Sequence, residues 1–442
     1  MRKQLAAIFV IVGFAFICFP RSAMADEQAS IQELLETAEP GESIQLENHV
    51  YHEDVVIDKP VTIKGAENTV IHGTGDGNVV TLNHDGITLE NVTVKNSGSI
   101  LDYDYAGIKI YSNDNRVIDT TIEDSLHGIY LSENTGNELI GNTIIGNQQL
   151  TQSSRGNGIH LFHSSDNIIR NNTIDGARDG VYFSFSEDNQ VDRNRITNHR
   201  YGLHYMYSDD NTFHQNEFFE NTGGAAIMYS DNITLTGNQF YDHHNLQSFG
   251  ILLQTANDAT IENNQIHFNQ KGIFMDQSNR NFFKGNVITN NQIGLDVWNS
   301  SINNQFTGNH ILENNLQYTT NDGEDDNEWS VQGTGNAWSD HNVIDLDEDG
   351  TADNAYVHTS AFGEVLSEQP LGVLFLHSPA LTIYEKWNEL IGKEKGTIQD
   401  PNPIHVQRET ASIASFGLWI MVLTAGIVGF IYWRKKRQQR RG

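Results

Sequence analysis

Nine times between residues 107 and 297 the chain writes a glycine followed by mostly apolar residues. The lines are "GIKI" at Gly107, "GIYL" at Gly128, "GIHL" at Gly158, "GVYF" at Gly180, "GLHY" at Gly202, "GAAI" at Gly224, "GILL" at Gly250, "GIFM" at Gly272 and "GLDV" at Gly294. Five of the eight steps are 22 residues; the others are 21, 30 and 26. Fourteen residues after the glycine stands an asparagine in seven consecutive lines: Asn142, Asn172, Asn194, Asn216, Asn238, Asn264 and Asn286. Such a line is too short for a strand–helix–strand unit and lacks helical periodicity. One line cannot bury its apolar face alone, but stacked copies bury a continuous core. Asparagine tolerates left-handed backbone at turns and stacks into hydrogen-bonded ladders. The expected fold is all-β: a right-handed parallel β-helix over residues 44–318, with about twelve coils in a rod ~58 Å long. A leucine-rich solenoid would repeat leucines instead, and a propeller needs longer repeats. Ahead of the coils, Ser30 and Glu33 form a capping box. They predict a cap helix within 26–43 that covers the open strand edges of the first coil.

Side chains alternate faces along a strand. The first and third positions after each glycine are almost all apolar and are expected inside, Met275 among them. The second and fourth positions then face out. These include His160, His204, Ala226, Leu252 and Asp296, and also Met206 and Met228. The last two occupy the same place in the near-identical lines "YGLHYMYSDDN" and "GGAAIMYSDN". Met228 should lie beside Met206 on the next coil, with His204 on the same outer face. Thioether and imidazole are soft or borderline donors suited to Cu(I) where thiolate is absent. The candidate copper residues are His204, Met206 and Met228, with His160 and the loop pair His243 and His244 within a few coils. The alternative is an apolar stripe that docks a partner, with methionine as an adaptable contact. A slip of one residue in register would turn all of these inward.

Residues 1–25 have the basic start, apolar run and Ala23-Met24-Ala25 site of a secretory leader. The one cysteine, Cys18, lies within it. A mature chain starting at Asp26 then has neither disulfide nor thiolate. Residues 413–433 form an uncharged apolar run long enough, at roughly 31 Å as a helix, to span a bilayer. The basic tail 434–442 should stay in the cytoplasm. Three basic residues fall in the leader and six in the tail, and neither segment holds an acid. The body between them therefore carries 18 basic and 57 acidic residues, a net charge of −39. Such a field concentrates cations and repels polyanions, which argues against nucleic acid as a partner.

Beyond the coils, the acidic loop 319–360 contains "DLDEDGTADN". Asp345, Asp347, Asp349 and Asp353 around Gly350 offer hard oxygen ligands of the kind calcium loops use. The full twelve-residue pattern is incomplete, because no glutamate stands at its last position. A solvated acidic loop is the alternative. Within residues 361–412, the stretch "LGVLFLHSPALTIYEKWNELIG" is apolar and partly helical. These residues are expected to cap the lower end of the rod and lead through "DPNP" to the membrane.

Taken together, "YGLHYMYSDDN", "AAIMYSDN", "GNAWSDH…DLDEDG…Y", "HSPAL" and "DPNP" resemble the NosD family, over nearly the whole mature body. These are β-helical outer-membrane-side or periplasmic factors in the copper maturation of nitrous oxide reductase. The resemblance implies a non-enzymatic accessory protein. Its implied partners are an ABC-type permease and ATPase, a copper chaperone lipoprotein that delivers Cu(I), and nitrous oxide reductase. The C-terminal apolar run departs from a simple soluble periplasmic form and places the body outside, anchored in the cytoplasmic membrane. The competing function is that of other parallel β-helices, which bind, cleave or epimerise acidic polysaccharides; fold alone does not decide between them. That chemistry needs cationic groups for a uronate. The outer face offers mainly Lys109, Lys271 and Arg280, and no Asp-Pro-His-Asp motif occurs. A purely structural surface protein is the third reading.

Overall fold

The computed structural model describes residues 29–243, 245–321, 325–359, 362, 365, 369–376, 378–390 and 397–405. His244, the leader 1–25, the apolar run 413–433 and the tail 434–442 lie outside the described residues.

Three parallel sheets of 12, 13 and 12 strands run along one axis, and within each sheet every strand pairs with one from the next coil. This is a parallel β-solenoid, wound with the right-handed crossover that parallel strands take. Its glycine-led sheet holds the longest strands, Gly223–Asp231 and Phe249–Asn257. The glycine column exists because the coils approach closely there. A Cβ on Gly250 or Gly272 would lie 2.7 or 2.6 Å from the carbonyl oxygen of the next glycine in the column.

The first and third positions after each glycine fill the interior. Val181, Phe183, Leu203, Tyr205, Ile227, Leu253 and Met275 are all fully buried. The asparagines form a continuous ladder. The side-chain amide of Asn194 donates to Asn216 Oδ1 at 3.0 Å, and Asn216 to Asn238 Oδ1 at 3.0 Å. The backbone N–H of each also donates to the same oxygen, and the second amide hydrogen reaches a carbonyl one coil back, as from Asn216 to Val191 at 2.8 Å. Every buried polar hydrogen of Asn216 is thereby satisfied. Two further columns run parallel to it, one through Asn137, Asn167 and Asn189, the other through Asn269, Asn291 and Asn314.

Two expectations about facing need correction. His243 is not an outward loop ligand. It takes an asparagine's place in the third column: its Nδ1 accepts from the Asn221 N–H at 3.2 Å, and its own N–H donates to Asn269 Oδ1 at 3.3 Å. Outward from the coil is also not the same as facing water. Ala226 and Leu252 are buried under Phe249, with Tyr201, Met228 and Phe274 packed against them. Asp296 is buried against Lys271 at 2.6 Å. The residues just before the glycines, Tyr201, Phe249 and Lys271, form this second layer.

At the N-terminal end, helix Ile31–Thr37 starts with the capping box of Ser30 and Glu33 and buries Ile31 and Leu35. At the other end, Thr397–Asp400 pairs antiparallel with Tyr356–Thr359. Asp400 then closes the main ladder: its Oδ2 accepts from the Asn336 N–H at 2.7 Å and from Trp338 Nε1 at 3.0 Å. "DPNP" thus begins by capping the coils. Phe362 and Leu376 pack on Ile293 and Leu316 of the last coils. Among the described residues no helix is long and apolar enough to cross a membrane.

Candidate metal-binding face

The glycine-led strands present one outer surface. In strand Tyr201–Met206, His204 and Met206 occupy alternate positions on this surface, about 7 Å apart along the chain. Parallel register sets Met206 opposite Met228, and His204 opposite Ala226. Ala226 is fully buried under the cluster of Phe249 and Leu252. Met206 and Met228 are both half-buried. Met228 rests on the apolar cluster of Ala226, Phe249 and Leu252.

His204 is held from behind. Its Nδ1 lies 3.0 Å from Asp179 Oδ2 and 3.1 Å from Arg200 Nη2. Arg200 grips the same carboxylate with both prongs, Nε to Oδ1 at 2.9 Å and Nη2 to Oδ2 at 2.5 Å. Asp179 is buried, at 1 % exposure. Burial opposes its ionisation, but the hydrogen bonds from His204 and Arg200 outweigh that cost and hold its carboxyl down to about 2. Nδ1 thus faces both an ionised acceptor, which favours a proton there, and a guanidinium that can only donate, and Nε2 is the nitrogen outside the clamp. Tyr182 and Tyr201 pack edge-on against the ring at 4.8 and 5.3 Å.

His160 does not join this group. It sits two coils away, beyond Tyr182, with ring centres 4.7 Å apart. It belongs to a second network. Its Nδ1 lies 3.3 Å from Asn157 Nδ2, and its ring packs 4.2 Å from Tyr130 and 5.2 Å from His127. Burial, reinforced by His127, pushes His160 well below the ordinary histidine value. His127 accepts the Asn157 N–H at Nδ1 and faces Asp104 through Nε2 at 3.5 Å. Lys109 lies 3.3 Å over the Tyr130 ring, and burial lowers its ammonium to about 8.

Of the six candidate copper residues, the structure makes three neighbours: His204, Met206 and Met228. Sequence reasoning missed Asp179, Arg200, Tyr182, His127 and Asp104. The signal for two of them was present, since "RDG" at 178–180 and "RYG" at 200–202 put charged and aromatic residues just before the glycine.

In the acidic loop, carboxylate oxygens of Asp345, Asp347 and Asp353 all lie within 4.8 Å of one another. Asp349 is not among them; its Oδ1 accepts the Thr351 N–H at 2.7 Å. The turn is closed by Gly350, whose φ is +90° and whose N–H donates to Asp345 Oδ2 at 3.1 Å.

Comparison with known proteins adds an independent line. The profile of a family described as "Periplasmic copper-binding protein (NosD)" matches residues 148–343. A "Probable ABC transporter binding protein NosD" from Pseudomonas aeruginosa is 36% identical over 358 residues, covering 75% of this chain and 81% of that relative. Its namesake from Stutzerimonas stutzeri is 33% identical over 376 residues, covering 80% and 84%. Among solved structures, the surface adhesin PfbA of Streptococcus pneumoniae aligns with a TM-score of 0.49 at 13% identity, over 62% of this chain and 83% of the adhesin.

Proposed function

We propose, from the premise that this chain belongs to the NosD family of periplasmic copper-binding proteins, that it takes Cu(I) as transient cargo on Met206, Met228 and His204. The recipient in this reading is nitrous oxide reductase. The partners are an ABC-type permease and ATPase and a copper chaperone lipoprotein, with the chain anchored through residues 413–433. The observation that carries the reading is the pairing of Met206 with Met228 beside the clamped His204. Two thioethers and one imidazole nitrogen are soft or borderline donors, which suit Cu(I) and serve hard cations poorly. The protein's part is to hold His204 in one tautomer, offer sulfur from two coils, and shield one side with the Phe249–Leu252 cluster.

The polysaccharide-processing alternative loses support from the way the candidate cations are paired. Lys109 is buried over Tyr130, Lys271 is paired with Asp296, and Arg280 is paired with Asp258 at 2.6 Å. None of the three is left over to neutralise a uronate. The relatives are named as binding proteins, not enzymes. As a companion proposal, Asp345, Asp347 and Asp353 hold a calcium ion that braces the end of the rod.

The test is anaerobic Cu(I) titration against a chromogenic chelator. Wild type should compete for one Cu(I). The variant Met206→Leu/Met228→Leu keeps volume and apolar character, so its stability should move by less than ~1.5 kcal/mol, while competition is lost. Unchanged competition in the double variant would reject the site.

A further inference from the structure

After the coils, two short helical segments leave apolar residues in water. In Pro370–Phe375, Leu371, Leu374 and Phe375 are exposed. In helix Pro379–Leu390, Ile383 is 69% exposed, Trp387 63% and Leu390 82%. The spacing of 383, 387 and 390 is that of one helical stripe, and Tyr384 borders it; together they span roughly 120° of the wheel. The helix starts cleanly, with proline first and Ser378 Oγ accepting the Ala380 N–H at 3.2 Å. Leu376, between the two segments, is packed on Ile293 and Leu316, so the pair is fixed to the end of the rod.

Where this end of the rod must lie follows from the chain. Thirteen residues lead from Asp400 to the first residue of the apolar run at Ile413. Even fully extended they reach only about 45 Å. If that run is the anchor, a reading on which this inference rests, the end of the rod that carries the stripe is tethered within about 45 Å of the bilayer.

We infer that the Pro379–Leu390 helix lies flat on the outer membrane–water interface, with Ile383, Trp387 and Leu390 in the lipid. Tryptophan and tyrosine favour that interface. The helix carries Glu385, Lys386 and Glu389 and no basic face. Its lipid contact therefore rests on apolar burial and is indifferent to salt and to lipid charge, unlike that of basic amphipathic helices. The consequence is orientation: two attachments, a span and a surface helix, fix the tilt of a rod that a single tether would leave to swing.

The test uses the full chain with its one cysteine removed by Cys18→Ser. Single nitroxide labels are placed by Ile383→Cys, Trp387→Cys and, on the far side of the wheel, Glu385→Cys. The chains are reconstituted in phosphatidylcholine vesicles. Oxygen and a water-soluble nickel chelate report lipid and aqueous exposure. The ratio of oxygen to nickel accessibility at 383 and 387 should exceed that at 385 by about fivefold or more, at low and high salt alike. Equal ratios in chains that float with the vesicles would overturn the surface helix while leaving the anchor standing, and would make the stripe a protein-docking face. Chains that do not float at all would overturn both.

Discussion

Replacing Asp179 by asparagine tests the clamp at the centre of the face. The substitution keeps shape and removes charge. Two lines of reasoning give its cost. The carboxyl is held at about 2, against an ordinary 3.8; at 1.36 kcal/mol per unit this is on the order of 2 kcal/mol. Breaking a buried pair costs about 3–5 kcal/mol. Because Arg200 keeps a third of its side chain in water, screening reduces that figure to about 2–3 kcal/mol. The two agree, so Asp179→Asn should lower urea-unfolding stability at pH 7 by about 2–3 kcal/mol. The sign of the pH dependence follows. A depressed carboxyl stabilises above its unfolded value and ceases to do so as pH falls through its folded value. The gap between wild type and variant should be constant above about pH 5 and close between about pH 4 and 2. Nitrogen NMR of His204 should show the proton on Nδ1 in wild type and a tautomer mixture in the variant. Cu(I) affinity should fall about 10–100-fold, as when a metal-bound histidine loses its outer partner. A variant that is as stable as wild type, with the same tautomer and the same Cu(I) affinity, would refute the clamp.

Other outcomes follow from the same structure. Asn216→Ala takes the acceptor from the Asn194 N–H and amide and one of its donors from the Asn238 oxygen, which keeps the backbone N–H of residue 216, and it removes the side-chain donor to the Val191 carbonyl, so stability should fall by about 2–4 kcal/mol. A loss under 1 kcal/mol would mean the ladder adds little. Calcium should raise the melting temperature of wild type, and the rise should vanish in Asp345→Asn/Asp353→Asn; an identical rise in both would assign it elsewhere. His160→Gln should leave Cu(I) affinity within about twofold, since His160 is walled off by Tyr182. A tenfold loss would return it to the site.

The repeat made the solenoid legible because solenoid physics is local. One coil needs only alternation, a glycine where coils approach and an asparagine where the turn needs a ladder. Met206 and Met228 could be paired from spacing alone, since parallel register follows from equal repeat length. His243 shows where this stopped. Its dipeptide, in a line lengthened to 26 residues, looked like a loop, yet its Nδ1 can accept the same N–H that an asparagine oxygen takes. Ala226 and Asp296 were outward by alternation and buried in fact, because the residue before each glycine folds over its neighbours. Alternation along one strand contains no information about that second layer. Asp179 was hidden for the same reason: its partners, Arg200 and His204, arrive from the next coil.

The outer face changes character along the rod, and the methionines stand at the change. From Lys109 to His204 its second positions are lysine, tyrosine and histidine, tied together through Asp104, Asn157 and Asp179. From Ala226 to Phe274 they are alanine, leucine and phenylalanine, packed with Phe249. Met206 and Met228 thus have an ionised, hydrogen-bonded wall on one side and a dry one on the other. The acidic body draws every cation alike, so charge gives no selectivity. Selectivity has to come from the donor atoms and from what surrounds them. A hydrated hard cation gains nothing from thioethers and would lose water against Leu252 and Phe249. Cu(I) loses little hydration and gains sulfur. On the proposed site, a long-range field would gather cations and a short-range pair of sulfurs would refuse the hard ones, a division of work that would give methionine its reason to recur at the same place in two adjacent coils.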